Sequence, residues 1–339
     1  MARLLGIFSA FFEMGRCMSN KKRILILATG GTIAGVGAAG KSTGYASGQL
    51  GVEDLLAAAP EIAEVADIET MQVCNINSDD ITAEIWIKLA RTIKEQASRP
   101  EIDGFVITHG TDTMDETAFF LNLVLKTEKP VVITGSMRPS TATSADGPMN
   151  LYQAVVAAAS WKSESMGVLV VFSGRIFSAR DVQKTSTHSV VSMSGGENGS
   201  CGVIRDDVVL YSTKSTKRHT TQTEFTVDGL SSLPRVNILY FNVDADPALI
   251  PMAASLSDGL VIAGAGGGEY SKLFEAELRK LTIPVVVSSR VGSGVIMSNS
   301  VPCGIAANDL PPQKAAILLR LALTETTDQA EITRMFEKY

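Results

Sequence analysis

Three short segments carry the side chains best suited to chemistry in this 339-residue chain: Gly30-Gly31-Thr32, Asn77-Ser78-Asp79 and His109-Gly110-Thr111-Asp112-Thr113. Each follows a short apolar, β-rich run. If those runs are neighbouring strands, two threonine hydroxyls on glycine turns, the Ser78 hydroxyl and the Asp79 and Asp112 carboxylates face one pocket. A threonine hydroxyl attacks a carbonyl only when a base or a desolvated amine lies beside it. Lys184, in RDVQKTST, could supply the amine, and Tyr45, in the loop after Thr32, a further hydroxyl. The same residues have plainer readings: Ser78 and Asp79 would cap a helix beginning near Ile81, Asp112 would cap the next one, and Lys184 would be a solvated surface lysine. The residue types alone lead to a metal-free, hydroxyl-nucleophile enzyme whose small polar pocket would suit a zwitterion.

The elements that must position these groups alternate. Apolar runs at 23–29, 69–76, 104–110, 130–135 and 167–174 are separated by helical patterns at 80–97, 113–126 and 148–160. In the first of these patterns Ile81, Ile85, Leu89 and Ile93 recur every four positions, an amphipathic stripe. Pro148 stands where a first-turn proline belongs. Continuous apolar runs, each followed by a helix, predict an α/β fold with a doubly wound parallel sheet covered on both faces. Ligands of such a sheet bind beyond the carboxyl ends of the strands, where the three segments fall. A second, smaller α/β series follows, with strands at 235–241, 259–266 and 284–290 and helices at 271–281 and 312–325. The predicted organisation is an extension over 1–20, an N-terminal α/β catalytic domain over 21–212, a polar linker over 213–233 and a C-terminal α/β domain over 234–339.

Composition narrows the class. Thirty Lys and Arg against 36 Asp and Glu give a net charge of −6, which argues against nucleic acid as a partner. Cys17, Cys74, Cys201 and Cys303 form no C-x-x-C and lie apart from His109, His188 and His219, so neither a zinc site nor a disulfide framework is expected. Residues 35–42, GVGAAGKS, match a phosphate loop literally. Yet the preceding strand ends six residues early, and Gly44, Gly48 and Gly51 occupy the would-be helix, so the match reads as a glycine-rich loop. The apolar stretch Leu4 to Phe12 has the length of a signal h-region but is too short to span a bilayer and lacks a small-residue cleavage site; it reads as an upstream extension or misassigned start before a fold that begins near Met18, with a weak signal as the alternative.

Several long segments together resemble the bacterial-type L-asparaginase/glutaminase-asparaginase family, closest to its type II class: ATGGTIAG at 28–35, ITHGTDTMDETA at 107–118, GSMRPSTATSADGPMNLY at 135–152 and DVQKT at 181–185. The similarity runs on through KAAILLRLALTET at 314–326 to Tyr339. The resemblance implies hydrolysis of L-asparagine to L-aspartate and ammonia through an acyl-enzyme on threonine, with side activity on L-glutamine and no cofactor or metal. It implies Thr32 as nucleophile, Tyr45 as its hydroxyl neighbour and Thr111, Asp112 and Lys184 as a second catalytic set. Ser78, Asp79, Thr111 and Asp112 would bind the substrate, and the Gly31 and Thr111 turns would hold the oxyanion. It further implies a homotetramer built as a dimer of intimate dimers, with no membrane or nucleic-acid partner. The expected compartment is the cytoplasm, with the periplasm as the alternative. A glutamine-preferring amidohydrolase of the same fold is the alternative activity, and a nucleotide-binding α/β protein using GVGAAGKS is the alternative of a different class.

Three positions depart from the family pattern. Asp79 stands where Gln or Glu is frequent. The stretch VGSGVIMSNSVPC (291–303) contains no carboxylate where secreted members bring a glutamate toward the neighbouring subunit. Glu269 replaces the common Asn or Ser.

Overall fold

Eight strands form the larger sheet of the computed structural model, which describes residues 21–41, 48 and 51–339. Strands β1 (Arg23–Gly30), β2 (Asp67–Ile76), β3 (Gly104–Thr108), β4 (Val131–Thr134) and β5 (Val168–Phe172) run parallel in the order β2-β1-β3-β4-β5. Every residue of β3, β4 and β5 is buried, as strands covered on both faces require. Alternate residues feed two different cores. Leu25, Leu27, Phe105 and Ile107 pack toward α3 (Ala83–Ala97) and α4 (Met114–Val124), whereas Ile24, Ile26 and Val106 pack toward α1 (Val52–Ala57), α2 (Ile62–Val65) and α5 (Gly147–Ala159). Pro148 lies in the first turn of α5, as expected.

The parallel series does not end the sheet. Ser173 and Gly174, both with positive φ, make a two-residue turn that sends the chain straight back as β6 (Arg175–Ser178). β9 (Gly202–Arg205) and β10 (Val208–Tyr211) then complete an antiparallel extension. Between β6 and β9 a separate two-stranded ribbon pairs β7 (Gln183–Lys184) with β8 (Met193–Ser194). In the polar stretch after β10, Phe225 and Val227 are buried in the core of the large unit.

The smaller sheet is wholly parallel: β11 (Val236–Tyr240), β12 (Gly259–Gly264), β13 (Val285–Ser289) and β14 (Ile305–Ala306), in that order. One face packs on α6 (Leu249–Ala254) and α7 (Lys272–Leu278) through Ile250, Phe274 and Leu278. On the other lies α8 (Pro312–Glu325), whose Ala315, Leu318 and Ala322 share a core with Met114, Ala118 and Leu121 of α4. A final helix, α9 (Gln329–Lys338), is capped by Asp328, which accepts from Glu331 N–H at 2.9 Å. The two sheets are thus joined by an apolar seam along α4 and α8. A large parallel-dominated sheet with a smaller α/β unit is the architecture that the sequence predicts.

Candidate active site

The order β2-β1-β3 makes the β1/β3 boundary a topological switch point, where successive connections leave to opposite faces and open a crevice. Two glycine turns meet there. Gly31 adopts φ 83°, and a Cβ on it would overlap the Gly110 backbone; a Cβ on Gly110 would in turn lie 2.7 Å from Ser78 Oγ. Thr29 Oγ1 donates to Thr108 O at 2.8 Å, and Gly31 N–H donates to Ile76 O at 3.1 Å, tying the ends of β1, β2 and β3 together. Only residues without side chains allow this approach, which explains why the hydroxyls next in sequence converge.

The result is a polar cleft of about 260 Å³ lined by Gly31, Thr32, Asn77, Ser78, Asp79, Gly110, Thr111 and Asp112. That volume lies below the ~300–1,000 Å³ of drug-sized sites and suits a ligand of amino-acid size. Thr32, Ser78 and Thr111 are buried, while the Asp112 side chain is 67% exposed. Lys184 Nζ donates to Thr111 Oγ1 at 2.8 Å and to Asp112 Oδ1 at 2.6 Å, its own side chain only 16% exposed. A surface lysine would be free to leave; this one is lodged between a hydroxyl and a carboxylate.

Cap readings for the acidic residues do not survive the geometry. Ser78 to Asp80 form a short 3-10 turn, and the cap of α3 is Thr82, whose side chain accepts from Ile85 N–H. Thr113 begins α4, but its hydroxyl donates to Ser78 O at 2.7 Å, joining the second and third segments directly. Asp112 instead accepts from Lys184.

Behind the cleft, His109 is fully buried. Gly110 O can only accept, so His109 Nδ1 carries the proton and donates to it at 2.7 Å. In the neutral ring Nε2 then accepts from the Thr117 hydroxyl at 2.9 Å, and Thr117 Oγ1 in turn accepts from Trp86 Nε1 at 2.8 Å. Burial pushes the His109 pKa down, so the imidazole is neutral. This chain of bonds fixes the peptide that leads into Thr111. His109 therefore packs and orients; it is not a base facing the cleft.

Lys184 reaches the site by an unforeseen route. It does not follow straight on from the run at 167–174: the Ser173-Gly174 turn reverses the chain, and Lys184 arrives on the β7–β8 ribbon. Tyr45 lies outside the described residues. The phosphate-loop match is used up structurally: Gly37 N–H donates to Thr141 Oγ1 and Gly40 N–H to Thr141 O, at 3.0 and 2.9 Å. Among the described residues, no three His, Cys, Asp or Glu side chains gather as a metal-binding group. Glu269 and most of 291–303 are exposed on loops beyond β12 and β13.

Comparison with known proteins follows the same outline. Residues 23–217 match the family described as "Asparaginase, N-terminal", and residues 235–336 match "Glutaminase/Asparaginase C-terminal domain". The chain is 44% identical to a "Probable L-asparaginase periplasmic" of Haemophilus influenzae, covering 97% of each chain. It is 41% identical to a "Glutaminase-asparaginase" of Acinetobacter glutaminasificans, over 94% of this chain and 100% of that one. The crystal structure of a "Probable Cytoplasmic L-asparaginase" from Campylobacter jejuni superposes with a TM-score of 0.90 at 44% identity, over 94% of this chain and 100% of that one. The chain belongs to the L-asparaginase/glutaminase-asparaginase family.

Proposed function

We propose that the chain hydrolyses L-asparagine to L-aspartate and ammonia, with L-glutamine as a slower substrate. The observation that carries this reading is the convergence of Thr32, Ser78, Asp79, Thr111 and Asp112 on one small cleft, with Lys184 held at 2.8 Å from Thr111. Thr32 Oγ attacks the side-chain amide carbon, and its proton ends on the departing nitrogen, which leaves as ammonia. Water then adds to the resulting threonine ester, returning the proton to Thr32 and releasing the new carboxylate. Lys184 orients the Thr111 hydroxyl and neutralises charge beside it. Ser78, Asp79 and Asp112 engage the substrate's α-carboxylate and α-ammonium groups, and Tyr45 is read as the hydroxyl neighbour of Thr32 that the family resemblance implies. The oxyanion is met by backbone N–H groups of the glycine turns. Among the described residues Thr111 N–H donates to no backbone carbonyl, whereas Gly31 N–H is engaged by Ile76 O, so the Thr111 turn donates without first breaking a bond.

We assign the working form to a homotetramer, a dimer of intimate dimers. Exposed apolar side chains on and after the edge strand β11 support this reading: Tyr240, Val243, Met252 and Leu256. An edge strand flanked by such residues is commonly covered by another chain. The free cysteines Cys74, Cys201 and Cys303 fit a cytoplasmic location, although one relative is named periplasmic. Ammonia release from L-asparagine and L-glutamine by purified protein, with Thr32→Ala alongside, tests the activity. No release from either amide refutes it. Light scattering tests the assembly, and fractionation of the native host the location.

A further inference from the structure

Lys314 is the one lysine among the described residues that is fully buried. It stands in the first turn of α8, on the C-terminal unit, and its Nζ donates to three backbone carbonyls of the N-terminal unit: Ala179 at 2.9 Å, Arg180 at 2.7 Å and Val182 at 2.5 Å. All three ammonium protons are thereby used. The placement works against stability in two ways. An ammonium taken out of water loses hydration that carbonyl dipoles only partly replace, and the amino end of a helix carries the positive end of its dipole. Burial accordingly pushes the Lys314 pKa down to about 8. A methionine would fill the same space beside Phe119, over whose ring Lys314 sits at 5.7 Å, without either cost.

What the three bonds hold explains the residue. Residues 179–182 are the irregular strap between β6 and the β7–β8 ribbon, and two positions beyond Val182 the chain presents Lys184 to Thr111 and Asp112. The same strap is gripped a second time from the C-terminal unit, where Asp309 accepts from Arg180 Nη1 and Nη2 at 2.8 and 2.5 Å. We propose that Lys314 is a positioning residue: by fixing the carbonyls of 179, 180 and 182 it sets where Lys184 Nζ lies, and so makes the C-terminal unit part of the catalytic apparatus of its own chain. The proposal rests on the reading of Lys184 as a member of the site.

A double-mutant cycle on the full chain tests it, with kcat and KM measured for ammonia release from L-asparagine and folding checked by circular dichroism and thermal melting. Lys314→Met is expected to lower kcat by ~10–100-fold with KM changed less than ~3-fold. In a Lys184→Met background the same substitution is expected to lower kcat no further, because its effect passes through Lys184. Losses that multiply in the double mutant, or an undiminished kcat in a folded Lys314→Met protein, overturn the proposal. Lys314→Gln, which keeps two N–H donors, is the second variant and is expected to fall between wild type and Lys314→Met in kcat. If neither variant folds, Lys314 is a stability residue and the proposal fails. If Lys184→Met alone keeps wild-type kcat, the site reading itself is wrong and the proposal goes with it.

Discussion

Lys184 Nζ lies 2.8 Å from Thr111 Oγ1 and 2.6 Å from Asp112 Oδ1, across 73 and 72 residues of chain. The lysine is largely covered, whereas Asp112 is open to solvent. Removing the amine therefore leaves Asp112 hydrated but the Thr111 hydroxyl without its orienting donor. Lys184→Met is expected to lower kcat by ~10²–10⁴-fold, the usual range for losing a positioned proton-transfer group. The melting temperature should move little, since the carboxylate left behind is not buried. Steady-state kinetics and a thermal melt check both halves; unchanged kcat with a large drop in melting temperature would reassign the lysine to structure.

Thr32 sits at the end of β1, one residue beyond the turn that meets Gly110. Thr32→Ala removes the hydroxyl that we propose as the nucleophile. The expected loss in kcat is at least ~10³-fold, while L-aspartate binding measured by titration calorimetry should stay within a few-fold of wild type. A rapid burst of ammonia, followed by slow turnover, would mark acyl-enzyme formation in the wild-type protein. Turnover by Thr32→Ala close to the wild-type rate refutes the nucleophile assignment.

Much of this arrangement is legible in the chain because its parts are local. Apolar runs of β-rich residues ending in Gly-Gly-Thr, Asn-Ser-Asp and His-Gly-Thr-Asp mark both the strands and the side chains at their ends. Other local signals are weaker. Ser173-Gly174 after an apolar run is a hairpin turn, yet it blends into the run at 167–174. Asp328 with Glu331 three residues on, then Ile332, Met335 and Phe336, spells a capped amphipathic helix beyond 312–325, the last helix the sequence pattern predicts. Lys314 carries no local signal: a lysine near a helix start looks solvated until the strap from 179 to 182 is laid across it. The approach of Lys184 on its own ribbon is non-local for the same reason.

Glu116, on α4 and facing the seam with α8, gives a pH prediction. Burial, reinforced by the neighbouring Asp115 charge, pushes its pKa up to about 7 from an unfolded value near 4.5. Between those values the folded chain binds the proton more tightly than the unfolded one. This contribution to stability is thus fully present below about pH 4.5 and is lost as pH rises through about 7. Glu116→Gln mimics the protonated form. It is expected to stabilise the protein on the order of 1–3 kcal/mol above pH 7 and to leave it nearly unchanged near pH 4.5. Melting curves of both proteins from pH 4.5 to 8 check this; parallel curves would show that Glu116 ionises without cost in the fold.

The proposed role of Asp79 in substrate binding gives a prediction on substrate length. It lies in the 3-10 turn after β2, exposed at the cleft, while Thr82 takes the cap of α3. On the proposed function its carboxylate meets the substrate ammonium together with that of Asp112. A charge-assisted contact of this kind contributes roughly 1.5–3 kcal/mol, so Asp79→Ala should raise KM for asparagine by ~10–100-fold. Because the side chain caps nothing, melting should shift by no more than the ~0.5 kcal/mol typical of surface substitutions. One methylene in the substrate is worth only ~1–3 kcal/mol to a pocket, which leaves glutamine a slower but real substrate. Asp79→Glu lengthens the arm by that same methylene and should move the ratio of kcat/KM values between asparagine and glutamine. Measured together, the Ala variant tests contact and the Glu variant tests reach. An unaltered KM in Asp79→Ala would remove Asp79 from the substrate. A raised KM with an unchanged Asn/Gln ratio in Asp79→Glu would keep the contact and place length discrimination on Ser78, Asp112 or a covering segment instead.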